Sequence, residues 1–230
     1  MKIKVLIRGI LAGFAISFGG WLALRTNAAL GNNILGSFIF SLGLILICNF
    51  DYYLFTGKVC YLVVDETDTF KNKLINLVIG IIGNFIGCIV VGLVIRFIFH
   101  KPDTLNLLFT SLNNTVETKL NYPWYTMIIL GIFCGFFIYF AVEGFKKIEN
   151  PIGKYVVLIL CIGAFIICGF EHCVANMFYY ALNGTFTFKM VLATIYCIIG
   201  NSLGGLFFPF SILTITIPGS LLPLRLPAEA

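Results

Sequence analysis

Charged residues are scarce in this chain of 230 residues, where Lys, Arg, Asp and Glu together make up only 11% of the sequence. Hydrophobic residues make up 60%, which is more than a soluble domain can bury, so an ordinary soluble protein is excluded. The basic residues are spread along the chain rather than clustered, which excludes a nucleic-acid-binding surface. The composition therefore favours an integral membrane protein.

Metal-binding patterns are also missing. The eight cysteines include no CxxC pair, and neither histidine lies in an HExxH sequence, so no zinc site is indicated. Most of the cysteines lie within apolar runs, where we interpret them as small packing residues. The sequence predicts no metal, no cofactor and no enzymatic activity.

Long uncharged runs are what the sequence does contain, among them residues 26–50 and 190–224. A helix needs about 20 apolar residues to cross a bilayer, and several runs exceed that length. The runs predict six spanning segments in one membrane domain of residues 1–215, at 5–24, 34–62, 74–99, 124–145, 154–181 and 189–215. The Pro-rich tail, 216–230, is predicted to be either disordered or foreign to the natural protein.

The two halves of the chain are similar to each other. Residues 7–18, IRGILAGFAISF, match 129–140, ILGIFCGFFIYF, at seven of twelve positions, and IIGN occurs at both 81–84 and 198–201. These matches keep their order along the chain, which indicates a duplication with repeats of about 1–100 and 120–215. Each repeat holds three spanning segments, an odd number, so the second repeat is predicted to be inverted in the membrane.

The distribution of basic residues orients these segments. If the N-terminus is inside the cell, ten Lys and Arg fall on the inner side and five on the outer side. Basic residues of membrane proteins concentrate in cytoplasmic loops. Both termini are therefore predicted to be cytoplasmic, in a multi-pass protein of the cell's inner (plasma) membrane.

Polar residues interrupt the second segment of each repeat, in FDYYLFTGK at 50–58 and in GFEHCVAN at 169–176. Helices 2 and 5 are thus predicted to be broken, with free backbone N–H groups that attract anions. A charge at the bilayer centre costs at least about 2.5 kcal/mol, so it must face a cavity or a partner. Asp51 and Glu171 either cap the backbone of their breaks or belong to a transport path. His172 is either a hydrogen-bonded core residue or a pathway residue that can donate a proton near neutral pH.

The motif GFEHCVANMF at 169–178 resembles the formate/nitrite transporter family, whose fifth helix carries GFEH and ANM around a central histidine. The likeness extends through FSLGL (40–44), LFTG (54–57), GNFIG (83–87) and IGNSLGG (199–205). The family implies an aquaporin-like protomer that assembles as a homopentamer among membrane lipids. Each protomer would carry its own pore for formate, nitrite, hydrosulfide or lactate.

The resemblance also implies roles for individual residues. His172 matches the family's central pore histidine, Thr56 its loop threonine, Lys119 its outer, anion-attracting lysine, and Asn201 its sixth-helix amide. A lysine directly after LFTG, here Lys58, resembles the sequence of the hydrosulfide-channel branch of the family. Apolar constrictions on both sides of the histidine are expected from a set of five residues, namely Phe40, Leu44, Phe55, Ile138 and Phe165. Structural support of the breaks is expected from Asp51, Glu171 and Asn176.

One position departs from the family pattern. Relatives usually have an Asn in the fourth helix where this chain has Gly135, which puts the polar network around the pore in question.

We therefore expect a channel or transporter for small monovalent anions of weak acids, with pH-dependent flux. One alternative is a hydrosulfide-selective channel. A neutral-solute channel of the aquaporin kind is less favoured, because aquaporins need NPA at both breaks and this chain has TGK and VAN. A membrane-embedded enzyme using Glu171 and His172 is also less favoured, because adjacent helical residues point in different directions.

Overall fold

The computed structural model describes residues 2–99 and 106–216, and within these ranges it is helical and contains no strand. In chain order the helices are α1 (Lys2–Leu30), α2 (Asn33–Ile39), α3 (Leu42–Asn49), α4 (Phe55–Val59), α5 (Phe70–Phe99), α6 (Asn106–Asn121), α7 (Trp124–Lys147), α8 (Pro151–Ile167), α9 (Cys173–Asn183) and α10 (Phe188–Thr216). The tail from residue 217 onward lies outside the described residues, as do Lys101 and Arg225 of the charge count.

Four helices, α1, α5, α7 and α10, are long and apolar enough to cross a membrane. They coincide with the first and third predicted segments of each repeat. Their outward faces carry exposed large apolar side chains, such as Phe97, Val94 and Phe207. A contiguous apolar exterior of this kind is typical of a surface in contact with lipid.

The second predicted segment of each repeat corresponds to shorter helices. In the first repeat, α3 ends at Asn49 and α4 begins at Phe55, while in the second, α8 ends at Ile167 and α9 begins at Cys173. A further turn separates α2 from α3 at residues 40 and 41, which the sequence pattern did not predict. The five residues of each connection lie outside a helix. Their backbone groups therefore need partners from other parts of the protein.

Glycine lets the long helices pack in two close pairs, α1 on α5 and α7 on α10. A Cβ atom at Gly87 would lie 2.3 Å from the Ile10 carbonyl oxygen, and one at Gly204 would lie 2.1 Å from the Ile132 carbonyl oxygen. Both distances are far below van der Waals contact, so only glycine permits these crossings. The two crossings lie at corresponding positions of the two repeats.

Gly135, the departure from the family pattern, lies in the α7–α10 contact. A Cβ atom there would lie 2.7 Å from the carbonyl oxygen of Asn201. Glycine at this position therefore allows α7 to pack closely on α10. The hydrogen bonds of the Asn201 side chain, described below, form without an asparagine at position 135.

Helix α6 was not predicted, because its sequence is polar and too short to span a bilayer. It lies between the two repeats and contacts α1, α9 and α10. Its buried face consists of Leu108, Leu112 and Val116, at the spacing of one helical face. This face anchors the helix, and Lys119 follows near its C-terminal end.

Candidate functional site

The amide of Asn84, on α5, holds the first interruption in place. Its Oδ1 accepts from the Phe55 N–H at 3.0 Å, and its Nδ2 donates to the carbonyl oxygens of Gly9 and Tyr53, both at 2.9 Å. The side chain is completely buried. Since Phe55 is the first residue of α4, the amide supplies the partner that the start of a helix lacks.

Asn201, on α10, holds the second interruption in the same way. Its Oδ1 accepts from the Cys173 N–H at 2.9 Å, and its Nδ2 donates to the carbonyl oxygens of Gly131 and Glu171, at 2.9 and 2.8 Å. Cys173 is the first residue of α9. The two asparagines end the repeated IIGN sequences, so corresponding residues serve corresponding helix starts.

His172 and Thr56 connect the two interruptions at the centre of the protein. Thr56 Oγ1 lies 2.9 Å from His172 Nε2, and both residues are buried. The other ring nitrogen, Nδ1, accepts from the Ala175 N–H at 3.1 Å, so the histidine also caps α9. A nitrogen that accepts carries no proton, which assigns the hydrogen of the neutral ring to Nε2, facing Thr56.

Glu171 forms a buried ion pair with Lys119. The lysine Nζ lies 2.7 Å from both carboxylate oxygens, and the Asn176 amide donates to one of them at 2.7 Å. Only 3% of the Glu171 side chain and 14% of the Lys119 side chain are exposed, so little water competes for these bonds. The predicted outer lysine is thus tied directly to the residue preceding the central histidine.

The carboxylates of Glu171 and Asp51 do not cap the backbone of their breaks, so the capping interpretation is wrong. Among the described residues, the partners of the Glu171 carboxylate are side chains, not backbone N–H groups of the break. The Asp51 carboxylate pairs with Arg8 and, at 3.3 Å, with Lys58, and it is 69% exposed. Asp51 itself has a φ of 50°, so it turns the chain rather than capping a helix.

The larger of the two cavities that are lined by predicted site residues has a volume of about 760 Å³ and opens beside α6. Its wall includes Lys119, Glu171, His172, Phe40 and Phe165. The ring of Phe165 stacks on His172 with centroids 6.0 Å apart and meets Phe40 edge to face at 6.4 Å. The two phenylalanines therefore lie directly beside the histidine on this side.

The smaller cavity, of about 120 Å³, lies at the opposite end of the bundle, where α1 begins and α7 ends. Leu44 belongs to its wall, together with Lys58 and Lys146. Neither cavity wall includes Phe55 or Ile138, although both are buried. The five predicted constriction residues therefore divide into Phe40 and Phe165 on the larger cavity, Leu44 on the smaller one, and two core residues.

The loop between α4 and α5 lies at the same end as the smaller cavity. The Asp65 carboxylate accepts from the backbone N–H and the hydroxyl of Thr67, at 2.9 and 2.6 Å, and these bonds lower the pKa of Asp65. Lys73 donates to the carbonyl oxygen of Asp65. Asp65 is therefore ionised and has a cation beside it.

Two further residues at the smaller cavity were missed. The sequence gives Lys146 no role beyond its positive charge and gives Tyr61 none. The Nζ of Lys146 lies 3.6 Å from the centroid of the Tyr61 ring. Nothing in the sequence distinguishes Lys146 from Lys147, because the side of the helix that faces a cavity is decided by packing.

Neither a metal-binding cluster nor a nucleophile elbow at GNSLG is found in the part of the chain that the structure describes. No three His, Cys, Asp or Glu residues there are grouped to hold a metal. The sequence GNSLG at 200–204 has the spacing of a hydrolase nucleophile motif, but it lies within α10. Its Ser202 hydroxyl donates to the Ile198 carbonyl oxygen at 2.7 Å. A nucleophile elbow requires a strand-to-helix turn, so this spacing carries no such function.

The fold and the site define a multi-pass helical membrane protein with a buried histidine between two cavities. The family model described as formate/nitrite transporter matches residues 2–215. The chain belongs to the formate/nitrite transporter family, and the resemblance inferred from GFEHCVANMF is confirmed.

Curated relatives agree with this assignment. Formate channel FocA of Haemophilus influenzae is 31% identical over 147 residues, which cover 63% of this chain and 52% of that protein. Formate channel FocB of Escherichia coli is 27% identical over 184 residues, which cover 77% and 65%. The transporter YrhG of Bacillus subtilis is 28% identical over 218 residues, which cover 89% and 82%. The chain thus spans about half to two thirds of the length of the two formate channels.

Solved structures share the fold. A pentameric formate channel with formate bound superimposes with a TM-score of 0.83 at 23% identity, covering 93% of this chain and 96% of that one. An ion channel of the same family gives a TM-score of 0.83 at 21% identity, covering 93% and 90%.

Proposed function

We propose that this protein is a membrane channel or transporter for small monovalent anions of weak acids. Formate, nitrite and hydrosulfide are the candidate substrates, with lactate as a further one. The observation that carries the proposal is the buried contact between Thr56 and His172, which joins the two helix interruptions between two cavities. The formate channels among the relatives support the substrate class.

The proposed path runs from the larger cavity past Phe40 and Phe165 to His172 and Thr56, and then past Leu44 to the smaller cavity. Phe55 and Ile138 would pack behind the inner constriction, and Asn201 would support the path by holding the second break. Lys119 keeps one ammonium hydrogen beyond the two that face Glu171, and this donor would attract the anion.

An anion in the apolar section would pass most easily as the neutral acid. Protonating an acid with a pKa of about 4 at pH 7 requires about 4 kcal/mol, which is similar to the penalty of about 3 kcal/mol for a charge at the bilayer centre. For hydrosulfide, a weaker acid, the protonation term is smaller. The hydrogen on His172 Nε2 faces Thr56, whose own hydroxyl hydrogen can then be donated to the anion.

We also propose that the chain forms a single membrane domain of residues 1–215 with six crossings in two inverted repeats. The second crossing would comprise α2, α3 and α4, and the fifth would comprise α8 and α9. Both termini would be cytoplasmic, in the inner (plasma) membrane, with the smaller cavity facing the cytoplasm. A homopentamer is proposed from the pentameric formate channel that shares the fold.

Flux into liposomes tests the substrate class. We expect formate, nitrite, hydrosulfide and lactate to compete for uptake at pH 6 and pH 8, with faster uptake at the lower pH because more of the acid is neutral. A hydrosulfide-selective channel would instead carry hydrosulfide far faster than the other three. Glycerol swelling without anion uptake would support the aquaporin alternative.

Variants test the role of the central pair. His172→Ala and Thr56→Val should each lower flux strongly or change its pH dependence. Thr194→Val is the matched control, because Thr194 is also buried and donates its hydroxyl to the Met190 carbonyl oxygen within α10. Wild-type flux and pH dependence in both His172→Ala and Thr56→Val would eliminate the proposed role.

A further inference from the structure

We propose that the smaller cavity is a binding site for a divalent oxyanion, which blocks the pore from the side of Lys58 and Lys146. The cavity, of about 120 Å³, receives these two ammonium groups from different elements, α4 and α7. Tyr61 also contributes to its wall. This inference rests on the proposed function in one respect: the anion can block the pore only if the protein conducts ions, whereas its binding does not depend on conduction.

The charges at this cavity do not cancel. The Asp51 carboxylate on its wall is bound by Arg8 and also lies 3.3 Å from Lys58. Lys146 has no carboxylate within 4.0 Å among the described residues, and its Nζ contacts the Tyr61 ring. Three cationic groups against one carboxylate leave two positive charges, which a doubly charged anion neutralises.

Two other acidic residues near the cavity, Glu143 and Asp65, each have a lysine beside them. Glu143 accepts from the Tyr61 hydroxyl at 2.7 Å and from Lys147 at 2.9 Å. Asp65 has Lys73 beside it. Each of these carboxylates is counted together with the lysine beside it, Glu143 with Lys147 and Asp65 with Lys73, so the excess of two positive charges remains.

The remainder of the wall explains why such an anion would block rather than pass. It is largely apolar and includes Leu44, Ile47, Leu54 and Val142. The free energy needed to move an ion into an apolar region rises with the square of its charge. A monovalent weak acid becomes neutral with one proton, whereas sulfate needs two and is a very weak base. Sulfate would therefore bind at the lysines and stop at the apolar wall.

Sulfate inhibition of formate flux tests the site in liposomes that contain the full chain. Sulfate on both faces should inhibit, whereas methanesulfonate at equal ionic strength should not, because it has a similar head group with one charge. In Lys146→Gln, half-inhibition should require roughly tenfold more sulfate. Lys71→Gln is the control: it removes the same charge from an exposed lysine outside the cavity wall and should keep wild-type sensitivity.

Each variant is compared with its own flux in the absence of sulfate. Flux that sulfate does not inhibit, or that it inhibits equally in Lys146→Gln and Lys71→Gln, would overturn the proposed site. Sulfate binding is also measured without flux, as a rise in the unfolding temperature of the purified protein that Lys146→Gln reduces. Absence of flux for every anion would refute the proposed function, and the binding measurement would then decide the sulfate site by itself.

Discussion

Asn84 and Asn201 are buried, and each makes two hydrogen bonds with the backbone of an interrupted segment and a third with a carbonyl oxygen of a neighbouring long helix. Replacing either with Ala would leave the N–H at the start of a helix without its partner and would remove one bond from each of two carbonyl groups. We expect a loss of at least about 2 kcal/mol in stability, because buried unpaired polar groups cost about 1–3 kcal/mol each. The unfolding temperature of the purified variants measures this loss. Ser202→Ala, which removes only a bond within α10, should change little, and equal losses in Asn201→Ala and Ser202→Ala would contradict this account.

The ion pair between Lys119 and Glu171 leads to a second prediction. Lys119→Met leaves a carboxylate that is 3% exposed without its cation, and breaking a buried pair typically costs about 3–5 kcal/mol. Lys119→Met/Glu171→Gln removes both charges, and its Gln can still accept from Asn176. The double variant should therefore unfold at a higher temperature than Lys119→Met.

The control for this cycle is Lys189→Met, because Lys189 donates to Asn121 and is exposed. It should remain close to the wild type. A double variant no more stable than Lys119→Met would show that the lysine stabilises the protein through its packing rather than its charge.

Glycine residues hold the long helices in close contact, and the pattern of apolar residues in the sequence does not reveal these contacts. Gly87→Ala and Gly204→Ala would each place a Cβ atom against a backbone carbonyl of the facing helix. The helices would have to separate, and overpacking of this kind typically costs about 1–3 kcal/mol. Both variants should lower the unfolding temperature by similar amounts, because they lie at corresponding crossings.

Leu203→Ala is the control for Gly204→Ala, since Leu203 is its neighbour on α10 and is 53% exposed. It should have a smaller effect. If Gly204→Ala were as stable as the wild type, the α7–α10 crossing would be looser than the structure indicates.

The helices also show where local sequence patterns were sufficient. Continuous apolar runs predicted α1, α5, α7 and α10, because a spanning helix must present apolar side chains to lipid along its whole length. Helix α6 was missed because its buried face consists of only three apolar residues and most of the rest of the helix is polar. The division of the second segment into α2, α3 and α4 was predicted only at its second interruption.

The whole molecule is expected to place α6 outside the cell and the loop between α4 and α5 inside. Helix α5 connects the two, and its 30 residues are enough to cross a bilayer. Thiol labelling measures this arrangement in a Cys168→Ser background, because Cys168 is the exposed cysteine of the eight. A membrane-impermeant maleimide should label Asn113→Cys in intact cells and Glu66→Cys only after permeabilisation. The reverse pattern would show that the proposed orientation is inverted.

The candidate site was predicted unevenly. The motif around His172 indicated the family, and IIGN indicated two equivalent asparagines, because both are local patterns that a single sequence displays. The capping interpretation of Glu171 gave its carboxylate the wrong partner. The true partner, Lys119, lies 52 residues away in the chain, where no local pattern connects the two. Lys146 was missed for a similar reason: only packing distinguishes it from Lys147.

The sequence by itself determined the membrane class, the family and the approximate positions of the long helices, because composition, motifs and the length of apolar runs are properties of the chain. Only the tertiary structure decided that Thr56 meets His172, across 116 residues, and that Lys58 and Lys146 share one cavity. Such contacts depend on how helices from both halves cross and on which face each one turns inward. Those crossings are set by atomic packing among residues distant in the chain, which no local pattern encodes.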